Sequence, residues 1–234
     1  MDNRISSISY PLDFKCKPYT RYYWRVTVEA DNEESATSEC AWFETAKLEE
    51  AWEGKWITKG TLDTQNPLFK KEFVLHEDIE DARIYACGLG LYELFIDGAK
   101  IGNEYLTPNC NNYAKWLQYQ TYEVSLKKGK HIVTASLGNG GYKGKFSLDN
   151  KENIYGDRFK LILELRDHRK LICSSDESWQ VSKGCIIENS IYDGEIYKPS
   201  LYKEEAIHVQ LLEGDYDKLQ ERLSLPLVVK EKLR

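Results

Sequence analysis

Residues 88–98 read GLGLYELFIDG and follow the apolar run RIYAC at 83–87. A dinucleotide-binding loop needs a strand, then Gly-x-Gly-x-x-Gly, then a helix whose N-terminus faces the phosphates. Here Glu93 stands where the third glycine belongs. The run YELFIDG at 92–98 is rich in aromatic and branched residues, which favour a pleated sheet over a helix. It closes on Asp97-Gly98, a two-residue hairpin signal, because both turn positions want a positive φ. The stretch therefore reads as strand, bend, strand and hairpin. Gly88 and Gly90 let the backbone bend or bulge between strands.

The same pattern extends in both directions. Short strand-like segments separated by turn signals run from KWITKG at 55–60 to IIENSIYDG at 186–194. PLFKKEFVL at 67–75, LQYQTYEVSL at 117–126 and KHIVTASLG at 130–138 are the longest, and KKGK at 127–130 is a turn. Such density predicts an all-β chain built as a β-sandwich. Upstream, YYWRVTVEA (22–30), DNEES (31–35) and SECAWFETA (38–46) read as one hairpin. KLEEAWEG at 47–54 is a polar connection, which gives a first segment over 1–50 and a larger domain over 51–234. Only YDKLQERL at 216–223 has helical spacing.

The chain has 234 residues, 41% of them hydrophobic, enough for a sizeable core. Its net charge is -6 with no basic block, so neither nucleic acid nor an anionic membrane is an expected partner. No run of 18 apolar residues offers a transmembrane helix. MDNRISSISYPLDF has no apolar signal core, so the cytoplasm is the default compartment. The six cysteines form no Cys-x-x-Cys pair and lack nearby histidines, which argues against a zinc site. Cys87 and Cys173 lie in apolar runs and read as small core residues. Sixteen Tyr and six Trp against one Met suit sheets, and aromatic rings also stack on the C–H faces of sugars.

Several stretches could carry chemistry. PNCNNY at 108–113 clusters Asn109, Asn111, Asn112 and Tyr113 near Trp116, and amides both donate to and accept from sugar hydroxyls. SLGNGGYKG at 136–144 offers Asn139 and Tyr142 in a Gly-rich turn. YDGE at 192–195 spaces Asp193 and Glu195 by two, which on a strand would put both carboxylates on one face. Carboxylates in such a place can take sugar hydroxyls or a calcium ion. YGDR at 155–158 suggests an Asp–Arg pair. His76, His131, His168 and His208 are scattered and form no nucleophile–base spacing.

Taken together, several of these motifs resemble one family. ARIYACGLGLYELFIDGAKIGNEYLTP (82–108), YQTYEVSLKKGKHIVTASLGNGGYKG (119–144), YGDR and SSDESWQVSKGCIIENSIYDGEIY (174–197) resemble the N-terminal module of bacterial α-L-rhamnosidases. The resemblance covers about residues 52 to 234. Residues 10–46 resemble the second half of a fibronectin type III-like domain found upstream in the same enzymes. The resemblance implies a jelly-roll-like β-sandwich that cleaves no bond itself. Hydrolysis in the family belongs to acids of an (α/α)6 barrel further along, to which no position here corresponds.

A related module in some members binds L-rhamnose with calcium. The resemblance thus implies an accessory region that is structural and binds L-rhamnosides, with no required cofactor and calcium as a candidate ion. The contacts expected are Asn111, Asn112, Tyr113, Trp116, Asp193 and Glu195. Departures fall in the loops: PNCNNY stands where the family has PGWTDY, Gly141 where it has a Trp, and YDGEIYKPS where it has YDGExYDAR. A reading of another class is self-association. The half-sandwich at residues 19–46 would expose strand edges and pair with a second copy.

Overall fold

The computed structural model describes residues 13–109, 111–145, 151, 155–201 and 205–232. Cys110 of the PNCNNY loop lies outside them. Two compact units divide the chain, Met1–Ala51 and Trp52–Arg234.

The first unit holds β1 (Arg21–Trp24), β2 (Thr27–Glu29), β3 (Ser35–Thr37) and β4 (Ala41–Glu44). The expected hairpin is present in two pieces: β1 pairs with β4 and β2 with β3, both antiparallel. At the break the Val26 amide donates to Ser38 Oγ at 3.0 Å, and the Ser38 amide donates to the Val26 carbonyl at 2.8 Å. Tyr22 and Phe43 stack at 5.2 Å, and Arg21 bonds Glu44 at 3.0 Å. Tyr23, Trp24, Val28 and Trp42 remain exposed.

The second unit is a two-sheet sandwich. Its strands are β5 (Trp56–Thr58), β6 (Pro67–Leu75), β7 (Ile79–Leu89), β8 (Leu91–Ile96), β9 (Ala99–Lys100), β10 (Leu117–Leu126) and β11 (Gly129–Gly138). After the single-turn helix α1 (Gly140–Lys143) come β12 (Lys160–Asp167), β13 (Lys170–Ser174), β14 (Gln180–Lys183), β15 (Ile186–Ser190) and β16 (Gly194–Tyr197). The last three are β17 (Ala206–His208), β18 (Gln210–Leu212) and β19 (Leu219–Glu221). One sheet runs β18-β5-β12-β7-β10-β19, with β13 on β12; the other runs β17-β14-β6-β11-β8-β9. β15 and β16 form a separate hairpin.

Alternation explains the interior. Along β6, Phe69, Phe73 and Leu75 point in while Glu72 and Val74 point out; along β11, Val133, Ala135 and Leu137 point in. They meet Ile84 and Ala86 of β7 and Leu161, Leu163 and Leu165 of β12 across the gap. Trp179 is fully buried just before β14, and its indole N–H donates to the Ser174 carbonyl at 2.8 Å. Each large apolar side chain so buried stabilises by about 1.5–3 kcal/mol. Cys87 and Cys173 are buried free thiols, and burial pushes the Cys173 thiol up to about 12.

β7 and β12 are covered on both faces. Outside the core, Tyr119 meets Trp52 and Tyr85 edge-on. Glu164 is fully buried there. It accepts from the Glu53 amide at 2.5 Å, the Gly54 amide at 3.0 Å and Arg166 Nε at 2.9 Å.

Only the second glycine of the Gly-x-Gly is a bend between strands; Gly88 lies within β7, paired with Leu161, where a Cβ would meet the Tyr92 ring at 2.7 Å. Gly90 separates β7 from β8 at φ +37°, and a Cβ there would sit 1.9 Å from the Gly138 carbonyl oxygen. Asp97 and Gly98 have φ of 52° and 81° and turn β8 into β9, as the hairpin signal predicts.

Two expectations need correction. YDKLQERL is not an α-helix. Tyr216–Lys218 makes one 3-10 turn, and Leu219–Glu221 becomes β19, parallel to β10. Eight residues cannot offset the cost of helix nucleation when an open sheet edge offers backbone partners. The Asp157–Arg158 pair is neither buried nor close, with 4.0 Å between two exposed side chains.

Candidate functional site

The loop between β9 and β10 builds the site. Its start is pinned to β8: the Tyr92 amide donates to the Thr107 carbonyl at 2.9 Å, and Thr107 Oγ1 donates to the Tyr92 carbonyl at 2.6 Å. The Asn109 amide then donates to the Leu106 carbonyl at 2.8 Å and closes a tight turn. Asn109, with φ at 67°, adopts the left-handed conformation that asparagine tolerates. At the other end the Lys115 and Trp116 amides both donate to the Asn112 carbonyl, at 2.7 and 2.9 Å.

This loop lines a cleft of about 440 Å³, within the range of about 300–1,000 Å³ typical of small-ligand sites. Asn109, Asn111, Tyr113, Gly141 and Tyr155 line it beside Leu106, Ile191 and Leu227. The Tyr113 ring lies 4.9 Å from both Tyr142 and Tyr155, tilted at 56° and 42°. Asn111 Oδ1 accepts from the Gln118 amide at 2.9 Å, but its Nδ2 is buried without a protein partner. Asn109 mirrors it: Nδ2 reaches Ser224 Oγ at 3.3 Å, while Oδ1 is buried and unpaired. One orphaned donor and one orphaned acceptor therefore belong to two amides of the same cleft. Buried polar atoms seldom stay unpaired, since each costs about 1–3 kcal/mol.

A second cleft of about 450 Å³ abuts the first and shares Leu91, Leu106 and Ile191 with it. Glu93, Tyr105, Ser136, Asn189 and Glu195 contribute polar groups. Glu93 is held by Lys100 at 2.5 Å. Asn189 is used up by the fold: Oδ1 accepts from the Asn139 amide at 2.5 Å, and Nδ2 donates to the Gln65 carbonyl at 2.8 Å. Glu195 is exposed on β16.

The structure brings together only part of the sequence-predicted set. Asn111 and Tyr113 share the first cleft, and Glu195 lines the second. Asn112 is exposed, and its carbonyl serves the loop turn. Trp116 is half-buried and lines neither cleft. Asp193 sits in the turn before β16, not on a strand with Glu195. Lys145 at 3.2 Å and the Ser190 hydroxyl at 3.1 Å hold its carboxyl below the usual range. Calcium takes six to eight oxygen ligands. The Asp193 carboxylate is tied to Lys145, and among the described residues no three His, Cys, Asp or Glu converge, so side-chain carboxylates alone do not supply them. Sequence reasoning missed Asn109 and Tyr155 as contacts, although both lie in stretches it singled out.

Comparison with known proteins fixes what kind of module carries these clefts. Residues 77–219 match the family model described as the α-L-rhamnosidase N-terminal domain, which spans well over half the chain. The chain belongs to this family. Residues 3–49 match the Rha78A-like N-terminal immunoglobulin domain, a β-sandwich architecture like that of fibronectin type III.

An α-L-rhamnosidase of Formosa agariphila is 34% identical over 77% of this chain and 23% of its own length. One of Streptomyces avermitilis is 31% identical over 65% of this chain and 15% of its own length. Among solved structures, the α-L-rhamnosidase of Dictyoglumus thermophilum superposes with a TM-score of 0.79 at 30% identity, over 93% of this chain and 28% of that one. That of Aspergillus terreus gives 0.73 at 25% identity, over 88% and 27%. The chain spans less than a quarter of the curated relatives it matches and corresponds to the N-terminal region of an α-L-rhamnosidase.

Proposed function

We propose that this N-terminal region is a non-catalytic accessory module of a longer α-L-rhamnosidase, and that its tyrosine-lined cleft holds an L-rhamnose unit. The observation that carries the reading is the pairing of Tyr113 and Tyr155 with the unsatisfied amide atoms of Asn109 and Asn111. A pyranose offers an apolar C–H face to an aromatic ring, and its hydroxyls both donate and accept. Asn109 Oδ1 would accept from one hydroxyl and Asn111 Nδ2 would donate to another. Rhamnose is a 6-deoxy sugar, and its methyl group matches the Leu106, Ile191 and Leu227 side chains of the same lining. The non-catalytic part of the reading is supported by the acids nearby. Asp193 is committed to Lys145 and Glu93 to Lys100, so Glu195 has no second unpaired carboxylate among the acids of these clefts with which to form a hydrolytic pair.

Calorimetric titration with L-rhamnose and with L-mannose, its 6-hydroxy analogue, tests the reading. Rhamnose should bind, mannose should bind more weakly, and Tyr113→Ala should abolish both without unfolding the chain. Equal affinity for the two sugars, or binding unaffected by Tyr113→Ala, would remove the cleft from consideration. Release of nitrophenol from an aryl rhamnoside by this chain alone would end the non-catalytic assignment.

A second reading concerns the first unit. Tyr23, Trp24, Val28 and Trp42 are exposed around two short strand pairs, and such edges recruit strands. Association of two copies through residues 19–46 would cover them. Sedimentation equilibrium should then show a dimer that Trp42→Glu converts to monomer; a wild-type monomer at high concentration rejects the idea.

A further inference from the structure

The two clefts abut and share part of their lining. Leu91, Leu106 and Ile191 belong to both linings and make a shared apolar saddle between them. The chambers differ in chemistry. One carries tyrosine faces and the orphaned amide atoms of Asn109 and Asn111. The other carries Glu93 and Glu195, with the Asn189 amide already engaged by backbone groups. Glu93 is neutralised by Lys100, whereas Glu195 has no ion-pair partner among the described residues. The second chamber is thus rich in acceptors and carries net negative charge.

Resting on the rhamnose reading of the first chamber, we infer that the second chamber is a neighbouring subsite for the sugar unit to which rhamnose is linked, and that this unit is neutral. Each chamber lies within the size range of a small-ligand site, so one sugar ring in each is a fair fit by volume. The hydroxyls of a neutral hexose donate to carboxylate oxygens, and such charge-assisted bonds are stronger than neutral ones. A uronic acid would place a second negative charge beside Glu195, and like charges at short range repel. The saddle suits the apolar edge of the glycosidic junction. The pair of clefts therefore selects the rhamnoside together with its neighbour rather than free rhamnose.

The test compares three probes on the full chain by calorimetry: methyl α-L-rhamnoside, α-L-rhamnosyl-(1→6)-D-glucose and α-L-rhamnosyl-(1→4)-D-glucuronate. The neutral disaccharide should bind about fivefold tighter than the methyl rhamnoside, the gain expected of one added hydrogen bond. The glucuronate should lose that gain. Glu195→Ala, an exposed substitution, should erase the disaccharide's advantage and leave the methyl rhamnoside unchanged. Equal affinity for methyl rhamnoside and neutral disaccharide, or an advantage that survives Glu195→Ala, overturns the second subsite and leaves the first standing. If none of the three binds, both fall.

Discussion

His131 Nδ1 lies 2.7 Å from Asp97 Oδ2, and the opposite ring nitrogen lies 2.7 Å from the Lys127 carbonyl oxygen. Both partners are acceptors, so the imidazolium, with hydrogen on both nitrogens, is the form that satisfies both contacts. It ties the Asp97-Gly98 turn to the turn before β11 and packs against Phe73 at 5.5 Å. The bond to Asp97 raises the His131 pKa, burial opposes it, and the Lys127 carbonyl adds to the rise. The same bond lowers Asp97.

A raised histidine pKa stabilises the fold at low pH. The contribution is fully present below about pH 6.5, the ordinary imidazole value, and is lost as pH rises through the higher folded-state value. Asp97 works in the other direction: its share is present above about pH 3.9 and is lost as pH falls through its lowered value. The gap in melting temperature between wild type and His131→Gln should therefore be largest near pH 5.5 and shrink by pH 8.5. A gap that does not change with pH would remove the imidazolium from the account.

Glu164 should be intolerant of truncation. It is the buried acceptor for two amides and for Arg166, and its loss leaves a guanidinium without its buried carboxylate. Glu164→Ala should cost about 3–5 kcal/mol by urea unfolding. The double change Glu164→Leu with Arg166→Met should recover only part of it, because the buried charges are removed together while the Glu53 and Gly54 amides lose their acceptor. A double variant as unstable as the single one would contradict this.

Gly90 tests the bend. Gly90→Ala must displace the Gly138 carbonyl and hold an unfavourable φ as well. It should leave little folded protein, whereas Gly98→Ala, with open space around its Cβ, suffers only the backbone cost and should stay folded. Circular dichroism of the two variants separates them.

Much of the sandwich was legible because it rests on period-2 alternation. PLFKKEFVL coincides with β6, and Asp97-Gly98 marks its turn, since both signals are local. β19 was hidden because a parallel pairing with β10 is a contact across about a hundred residues that no local spacing encodes. The site was half legible. The Asn-rich loop is visible as composition, but which asparagine keeps a free atom depends on Gln118 and Ser224, partners outside the loop. The convergence of Tyr142 and Tyr155 on Tyr113 is likewise tertiary. Asp193 and Glu195 were coupled by spacing alone, and the hairpin turn sends them to different tasks.

Gly141 gives a gain-of-bulk test of the first cleft. It lines the cleft from α1. Gly141→Trp should fill the space beside Tyr113 and Tyr155 and abolish rhamnose binding, while the melting temperature stays within a few degrees. Retained affinity would mean the sugar sits elsewhere.

The most direct measurement is a two-dimensional amide NMR titration of the full chain with L-rhamnose. Saturable shifts should concentrate at Asn109, Asn111, Tyr113, Gly141 and Tyr155, around the one orphaned donor and one orphaned acceptor. Silence at these amides at millimolar sugar, or shifts centred on another part of the sandwich, would contradict the account.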